Sequence, residues 1–467
     1  VNNPKTVQAL DAAHWQRQLE ILIEKYQVPG AVFGILRSDT ASGGTGQEER
    51  VVVGAGVTNI NTGQPVTPDT LFQIGSITKT WTATLVLQLV AEGKLDLDAP
   101  IRDVLPDFTL SDESAAATIT MRHLLTHTSG IDGDIFTDTG RGDDCVRKYV
   151  ESLHSAAQLF TPGATWSYCN TGLVIAGRVV EVLREMTWDA ALSKYILAPL
   201  SLKATTTLPE QTALHRFAVG HQNQNGTPVL TPTFLLPRSC GPAGLITAAA
   251  DDVLSYARTF MPGGGQALLG ADSLAAMLTP QVEMHHASQV ADHMGIGWVL
   301  QSWGGVPTIN HNGGTLGQNS MLRLFPEQGV VLFLAANGGE PQKLMRELFT
   351  EAAALLTGAT MPAAFTPATD GDGSAFHEYE GFYEAAGVRI HIRAAGEATW
   401  HAAVMDTTGL FGEKEPDIFE LAGSGPAGFG AAVPGTSDWA PLSFESLGDT
   451  RLLHFSGRSY PQIPTPN

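Results

Sequence analysis

Leu71-Phe72-Gln73-Ile74-Gly75-Ser76-Ile77-Thr78-Lys79-Thr80-Trp81 opens an apolar-periodic segment with a serine three residues ahead of a lysine. Residues i and i+3 of a helix lie about 5–6 Å apart at Cβ, a gap that a lysine stem covers. Thr82, Leu85, Val86 and Leu89 follow at helical spacing, which predicts a helix with one buried face. In the first turn, Ser76 would sit beside unpaired backbone N–H groups and the positive end of the helix dipole, both favourable to an oxyanion. Burial would lower the lysine pKa by disfavouring the ammonium, and a neutral lysine is a usable base. A nucleophile can be made this way without histidine. The same residues also fit an ordinary helix start with a solvated lysine, so the rest of the chain has to decide.

The 467 residues, 43% hydrophobic and 16% charged, exceed one ordinary core and predict two domains. A formal charge of −20 argues against nucleic acid or an anionic membrane as partner. No run approaches the ~20 apolar residues of a membrane span. Val1-Asn2-Asn3-Pro4-Lys5 lacks a signal-type apolar core. The expectation is a cytoplasmic protein, with an exported mature form left open because the chain begins at Val1. Cys145, Cys169 and Cys240 make no disulfide framework, although a pair such as Cys145 with Cys240 stays open.

Residues 7–26 read as an amphipathic helix. Residues 31–36 and 51–56 read as strands joined by a Gly/Ser/Thr-rich turn at 40–47. Residues 100–235 read as mostly helical with many loops, and helices are expected at 145–157, 172–185, 251–260 and 341–357. Strand signals return at 297–301, 308–311, 321–325 and 330–335. Strands from both ends with helices between predict an α+β domain, its antiparallel sheet built from N- and C-terminal segments. We divide the chain into a catalytic domain at 1–357, a linker at 358–375 and an all-β module at 376–467. In the module, strand-like runs at 388–392 and 451–455 and the aromatic–glycine places Tyr379-Gly381-Tyr383 and Phe455-Gly457-Tyr460 suggest a small barrel.

Two further segments carry chemistry. In Tyr168-Cys169-Asn170, a tight loop before a helix, the first and third side chains point the same way if the backbone is extended. A phenol near a lysine can ionise more readily and take the serine proton, and an amide offers donor and acceptor to substrate and lysine. In His311-Asn312-Gly313-Gly314-Thr315, the glycines let a backbone or substrate approach closely. The N–H of Gly314 could complete an oxyanion hole with that of Ser76. His311 could orient the tyrosine or bind a substrate carboxylate. Alone, either segment also fits a simple turn.

Together, in order and spacing, the three segments resemble the penicillin-recognising serine hydrolases: class C β-lactamases, DD-peptidases and family VIII esterases. The resemblance assigns Ser76 as nucleophile with Lys79, Tyr168 and Asn170 to the second motif, and His311 with Gly313 to the third. His123-Leu124-Leu125-Thr126-His127-Thr128-Ser129-Gly130, Gly241-Pro242-Ala243-Gly244 and Ala250-Asp251-Asp252 add to it, over residues 10–357. It implies a β-lactamase/transpeptidase-like α+β fold with a helical subdomain, and likens the C-terminal module to a lipocalin-like domain. His311 stands where most β-lactamases and DD-peptidases carry lysine. Histidine there is common in esterases, D-aminopeptidase-like enzymes and peptide-cyclising thioesterases, which points away from a dedicated β-lactamase.

The expected activity is therefore a serine hydrolase acting through a Ser76 acyl-enzyme on an ester or peptide/amide substrate, including D-residue peptides. The alternatives are a peptide cyclase with the same acyl-enzyme and a non-catalytic penicillin-binding-like sensor. No metal or organic cofactor is called for. The expected partner is a small-molecule or peptide substrate, and homo-oligomerisation stays open. Weaker candidates are a His123/His127 metal pair against a capping role, and a surface cluster of His285-His286 with His293. Asp143-Asp144 reads as a cleft or solvated loop, and Pro262-Gly263-Gly264-Gly265 as a turn.

Overall fold

Apolar strand signals at 31–36 and 330–335, about 300 positions apart in the chain, are neighbours in space. A computed structural model describes residues 10–466 except 40–46, 225, 265–266, 285–290, 368–373, 386, 397–398, 408–414, 424–428, 435 and 437. The turn at 40–47, part of the linker and His285-His286 thus fall largely or wholly outside the described residues.

The first part comprises α1 (Ala12–Lys25), β1 (Gly30–Ser38), β2 (Glu48–Asn59), β3 (Gln64–Pro65), α2 (Thr78–Ala91), α3 (Asn170–Arg184) and α4 (Ala250–Arg258). It continues with β4 (Val282–Glu283), β5 (His293–Met294), β6 (Val299–Trp303), β7 (Val306–Gly314), β8 (Asn319–Phe325), β9 (Val330–Ala336) and α5 (Pro341–Thr357). The strands form one antiparallel sheet in the order β3-β2-β1-β9-β8-β7-β6-β5-β4. Phe33, Ile35, Leu332 and Leu334 face α1 and α5, packing with Trp15, Leu19, Leu348 and Phe349. Val32, Leu36, Val331 and Phe333 face the other way, into the core shared with α2 and α4. Burial on both faces explains why these strands read as unbroken apolar runs rather than alternating ones.

Two helix expectations change. The first helix starts at Ala12, where Asp11 caps it by accepting from the N–H groups of Ala13 and His14. α2 is not one-faced: Thr78 through Leu87 and Leu89 are all buried. It runs through the middle of the core, as a sequence with Lys79 as its one ionisable residue allows. Trp81 stacks on Tyr256 of α4 at 3.8 Å between ring centroids. The α2 threonines satisfy their hydroxyls on backbone carbonyls, Thr82 on Pro242 and Thr84 on Thr80. The three cysteines are buried and unbridged, so the open Cys145–Cys240 pairing does not form.

The C-terminal strands are β10 (Gly381–Ala385), β11 (Val388–Ala394), β12 (Trp400–Asp406), β13 (Asp417–Ala422), β14 (Phe429–Ala432), β15 (Trp439–Leu447), β16 (Thr450–Phe455) and β17 (Arg458–Ile463). They close into a barrel in chain order, β10 meeting β17 through Phe382 with Ile463 and Tyr383 with Gln462. Tyr383, Ile390, Trp400, Leu421 and Leu453 belong to its core, which Leu159 and Phe160 of the first part join. Between β16 and β17, Ser456 (φ 50°) and Gly457 (φ 74°) both take positive φ, the signature of a tight type I′ hairpin. No helix among the described residues is long and apolar enough to cross a membrane.

Phe33 carries much of the α1–sheet–α5 packing, touching Trp15 at 5.5 Å and Phe349 at 5.9 Å between centroids. Phe33→Ala is expected to cost about 3–5 kcal/mol in urea unfolding. A loss under ~1 kcal/mol would show that this layer does not carry the sheet.

Candidate active site

Ser76 lies in a single 3₁₀ turn, Gly75–Ile77, immediately ahead of α2 rather than in its first α turn. Gly75 has φ +51°, and a Cβ there would stand 2.7 Å from the backbone nitrogen of Gly314. Only glycine lets β7 come this close to the turn that bears Ser76. Lys79 Nζ donates to Ser76 Oγ at 2.9 Å and to the Ala243 carbonyl at 2.7 Å. Lys79 is fully buried. Burial, followed by the charge of Arg458, pushes its pKa down to about 7, with Asp134 opposing.

Cys169 is the extended N-cap of α3, its Sγ accepting from Gly172 N at 3.2 Å. Tyr168 and Asn170 flank this cap and both line the cleft that holds Ser76. The easily ionised phenol expected from the sequence is not found. Although Tyr168 is only half-buried as a residue, desolvation of its hydroxyl pushes its pKa up, and a hydrogen bond with Ser76 offsets this only in part. Tyr168 therefore stays a proton donor, and Lys79 is the base-competent member of the pair. Asn170 does not hold Lys79: its Nδ2 donates to Asp134 Oδ1 at 2.5 Å, while Ala243 takes the lysine.

His311 also differs from expectation. It does not orient the tyrosine, which instead stacks on His127 at 4.4 Å. His127 adopts φ +59° and accepts from Cys169 N at 3.0 Å, so the segment from His123 to Gly130 props the loop that bears Tyr168. His311 Nδ1 donates to the Asn312 carbonyl at 2.7 Å. Burial and the charge of Lys79 push its pKa down to about 3, so it is neutral and offers no cation to a carboxylate. β6 ends its pairing with β7 at Asn310, which leaves residues 311–314 facing the cleft. Gly313 is pressed on the turn before Ser76: a Cβ there would lie 1.9 Å from the Ile74 carbonyl oxygen.

Two site residues escaped the sequence reading. Asp134 accepts from Asn170 and from Arg458, whose Nε and Nη2 lie 2.9 and 3.3 Å from its oxygens. Arg458 comes from the first position of β17 and lies over the Tyr168 ring at 4.7 Å from its centroid, with Lys79 Nζ 5.0 Å from the same centroid. The β16–β17 hairpin is fastened here: Tyr168 N donates to Gly457 O at 2.9 Å, and Ser459 N to Ser167 Oγ at 3.0 Å. The available signal was Phe455-Gly457-Tyr460, read as barrel packing only. The resulting cleft has a volume of ≈ 650 Å³, with Phe136, Leu236, Met284, Pro441 and Phe455 among its apolar walls.

The weaker candidates find structural uses. His123 Nδ1 accepts from Thr120 N at 3.3 Å, the capping role. Asp143 pairs with Arg238, and Asp144 with Arg147 and Lys148.

Residues 6–357 match the family model described as Beta-lactamase. Penicillin-binding protein 4 of Amycolatopsis lactamdurans is 40% identical over 365 residues, 76% of this chain and 93% of that protein. Esterase EstB of Burkholderia gladioli is 33% identical over 189 residues, 37% of this chain and 47% of that protein. Among solved structures, SurE superposes with a TM-score of 0.78 at 26% identity, over 97% of this chain and 99% of that one, barrel included. With its antiparallel sheet, its helices and its serine–lysine pair at the head of a buried helix, the chain belongs to the beta-lactamase family, on a serine-hydrolase-like scaffold extended by a closed eight-stranded barrel.

Proposed function

We propose that this protein is a serine hydrolase that works through a Ser76 acyl-enzyme on an ester or peptide/amide substrate, D-residue peptides included. The observation that carries this reading is the 2.9 Å contact of a fully buried lysine amine, its pKa near 7, with a serine hydroxyl in an open cleft. In the neutral form, Lys79 accepts the Ser76 proton as Oγ attacks the carbonyl. The N–H groups of Ser76 and Gly314 hold the oxyanion, and Gly75 and Gly313 allow that approach. Tyr168 donates to the reacting oxygens, and the Lys79 ammonium returns the proton to the leaving group. Water then resolves the ester. Similarity to an esterase and to a penicillin-binding protein supports acyl chemistry at this position.

A second reading is peptide cyclisation, in which the substrate's own amine replaces water. The walls that the barrel adds to the cleft with Pro441, Phe455 and Arg458 favour it, because a longer wall restricts the approach of water to the ester. Incubation with a peptidyl thioester separates the two: linear acid marks the hydrolase, macrolactam the cyclase.

Ser76→Ala is expected to abolish fluorophosphonate labelling and lower kcat/KM by at least ~10³-fold. Unchanged labelling or turnover would sink the mechanism. Because the amine form is the active one, kcat/KM should rise with pH through a limb centred near 7. Arg458→Gln removes a cation that depresses Lys79, so that limb should move to higher pH; a limb that stays in place would deny Arg458 this influence.

A further inference from the structure

β7 presents alternate residues to opposite sides, so His311 shares the catalytic side with Gly313, which abuts the turn before Ser76. His311 is 3% exposed. Its Nδ1 is committed to the Asn312 carbonyl at 2.7 Å, and a carbonyl oxygen only accepts. The ring proton is thereby fixed on Nδ1, and Nε2 carries a lone pair. That Nε2 is buried, has no hydrogen-bond partner and belongs to a residue lining the cleft. A buried acceptor without a partner is costly unless a ligand completes it. Burial, and after it the neighbouring Lys79 and Arg323, disfavours a second ring proton.

The charges around it tell against an anionic partner. Among the described residues lining the cleft, Arg458 is the single arginine or lysine. Its Nε and Nη2 are taken by Asp134 and its Nη1 by the Ser456 carbonyl at 3.2 Å. A carboxylate seated against His311 would face a lone pair, and the one guanidinium that lines the cleft is already paired with Asp134.

We propose that His311 Nε2 is a specificity determinant that accepts a hydrogen bond from a neutral N–H of the substrate, so that this cleft selects carboxamide-ended substrates over those ending in a free carboxylate. The proposal rests on the acyl-enzyme reading above and names the chemistry of the group that meets β7. A carboxamide or an interior peptide N–H supplies that donor, and a free terminal carboxylate does not.

The test uses the full chain and two competitive inhibitors of p-nitrophenyl ester hydrolysis, N-acetyl-D-alanyl-D-alanine and its C-terminal carboxamide. The carboxamide is expected to show a Ki about tenfold or more below that of the acid. His311→Lys should reverse that ratio, while His311→Gln, which keeps a neutral acceptor, should preserve its direction. Equal Ki values, a lower value for the acid, or a ratio that His311→Lys leaves unchanged overturns the proposal while ester turnover keeps the acyl-enzyme reading intact. Absence of both ester turnover and Ser76 labelling overturns the acyl-enzyme reading, and this proposal with it.

Discussion

A lysine amine with no exposure to water is the constraint around which this molecule is arranged. A buried ammonium without a carboxylate partner is strongly disfavoured, and both hydrogen-bonding partners of Lys79 are uncharged, the Ser76 hydroxyl and the Ala243 carbonyl. That neutrality depends on α2 being enclosed on every side, which in turn needs the sheet beneath it and the helical layer around it. The Ala243 carbonyl is placed by equally close packing. Gly177 of α3 meets Pro242 so tightly that a Cβ would lie 2.2 Å from the proline ring. Helix α3, the short turn 241–244 and α2 thus form one block, and α3 also begins with Asn170. The first two motifs are therefore fixed relative to each other by backbone packing rather than by their own side chains.

The barrel is a structural part of the same centre. Its β16–β17 hairpin needs two consecutive positive-φ residues, and Ser456-Gly457 supplies them at the tip that enters the cleft. Arg458 follows at once and lies over the Tyr168 ring, its charge balanced by Asp134. Placing a cation near Lys79 lowers the lysine's pKa, and placing Asp134 behind it limits that effect. The pair also ties Asn170 to the hairpin through a shared carboxylate. One ion pair thereby links the barrel, the loop before α3 and the electrostatics of Lys79.

What could be read from the sequence was local in character. The serine–lysine spacing, Tyr168-Cys169-Asn170 and the glycines after His311 are each contained in a few residues, and the cleft gathers Ser76, Tyr168, Asn170, His311, Gly313 and Gly314. The sheet from both ends of the first part was legible because β1 and β9 carry unmistakable apolar runs. Contacts between distant segments were not legible. Arg458 pairs with Asp134 across 324 positions, and His127 meets Tyr168 through a left-handed turn that no composition rule announces. The enclosure of α2 was missed for a related reason: threonines look polar in sequence, yet here they bond nearby carbonyls and behave as core. The tautomer of His311 depends on a single carbonyl beside it and leaves no trace in residue type.

Environment, more than residue identity, divides the acid and base roles. Two titratable groups contact Ser76, and burial acts on them in opposite directions because their charged forms have opposite character. Desolvation lowers the pKa of Lys79, whose charged form is the acid, and raises that of Tyr168, whose charged form is the base. The same low-dielectric floor therefore pushes the pair toward one neutral amine and one intact phenol, with the serine hydroxyl between them. Groups whose pKa values are driven apart or across neutrality by a shared environment reveal which one takes a proton and which one gives it. An Arg458 charge that spoke only to Lys79 would leave the phenol unaffected. Lying over the Tyr168 ring, it also moderates the rise in the phenol's pKa, so it draws both groups toward the working range at once.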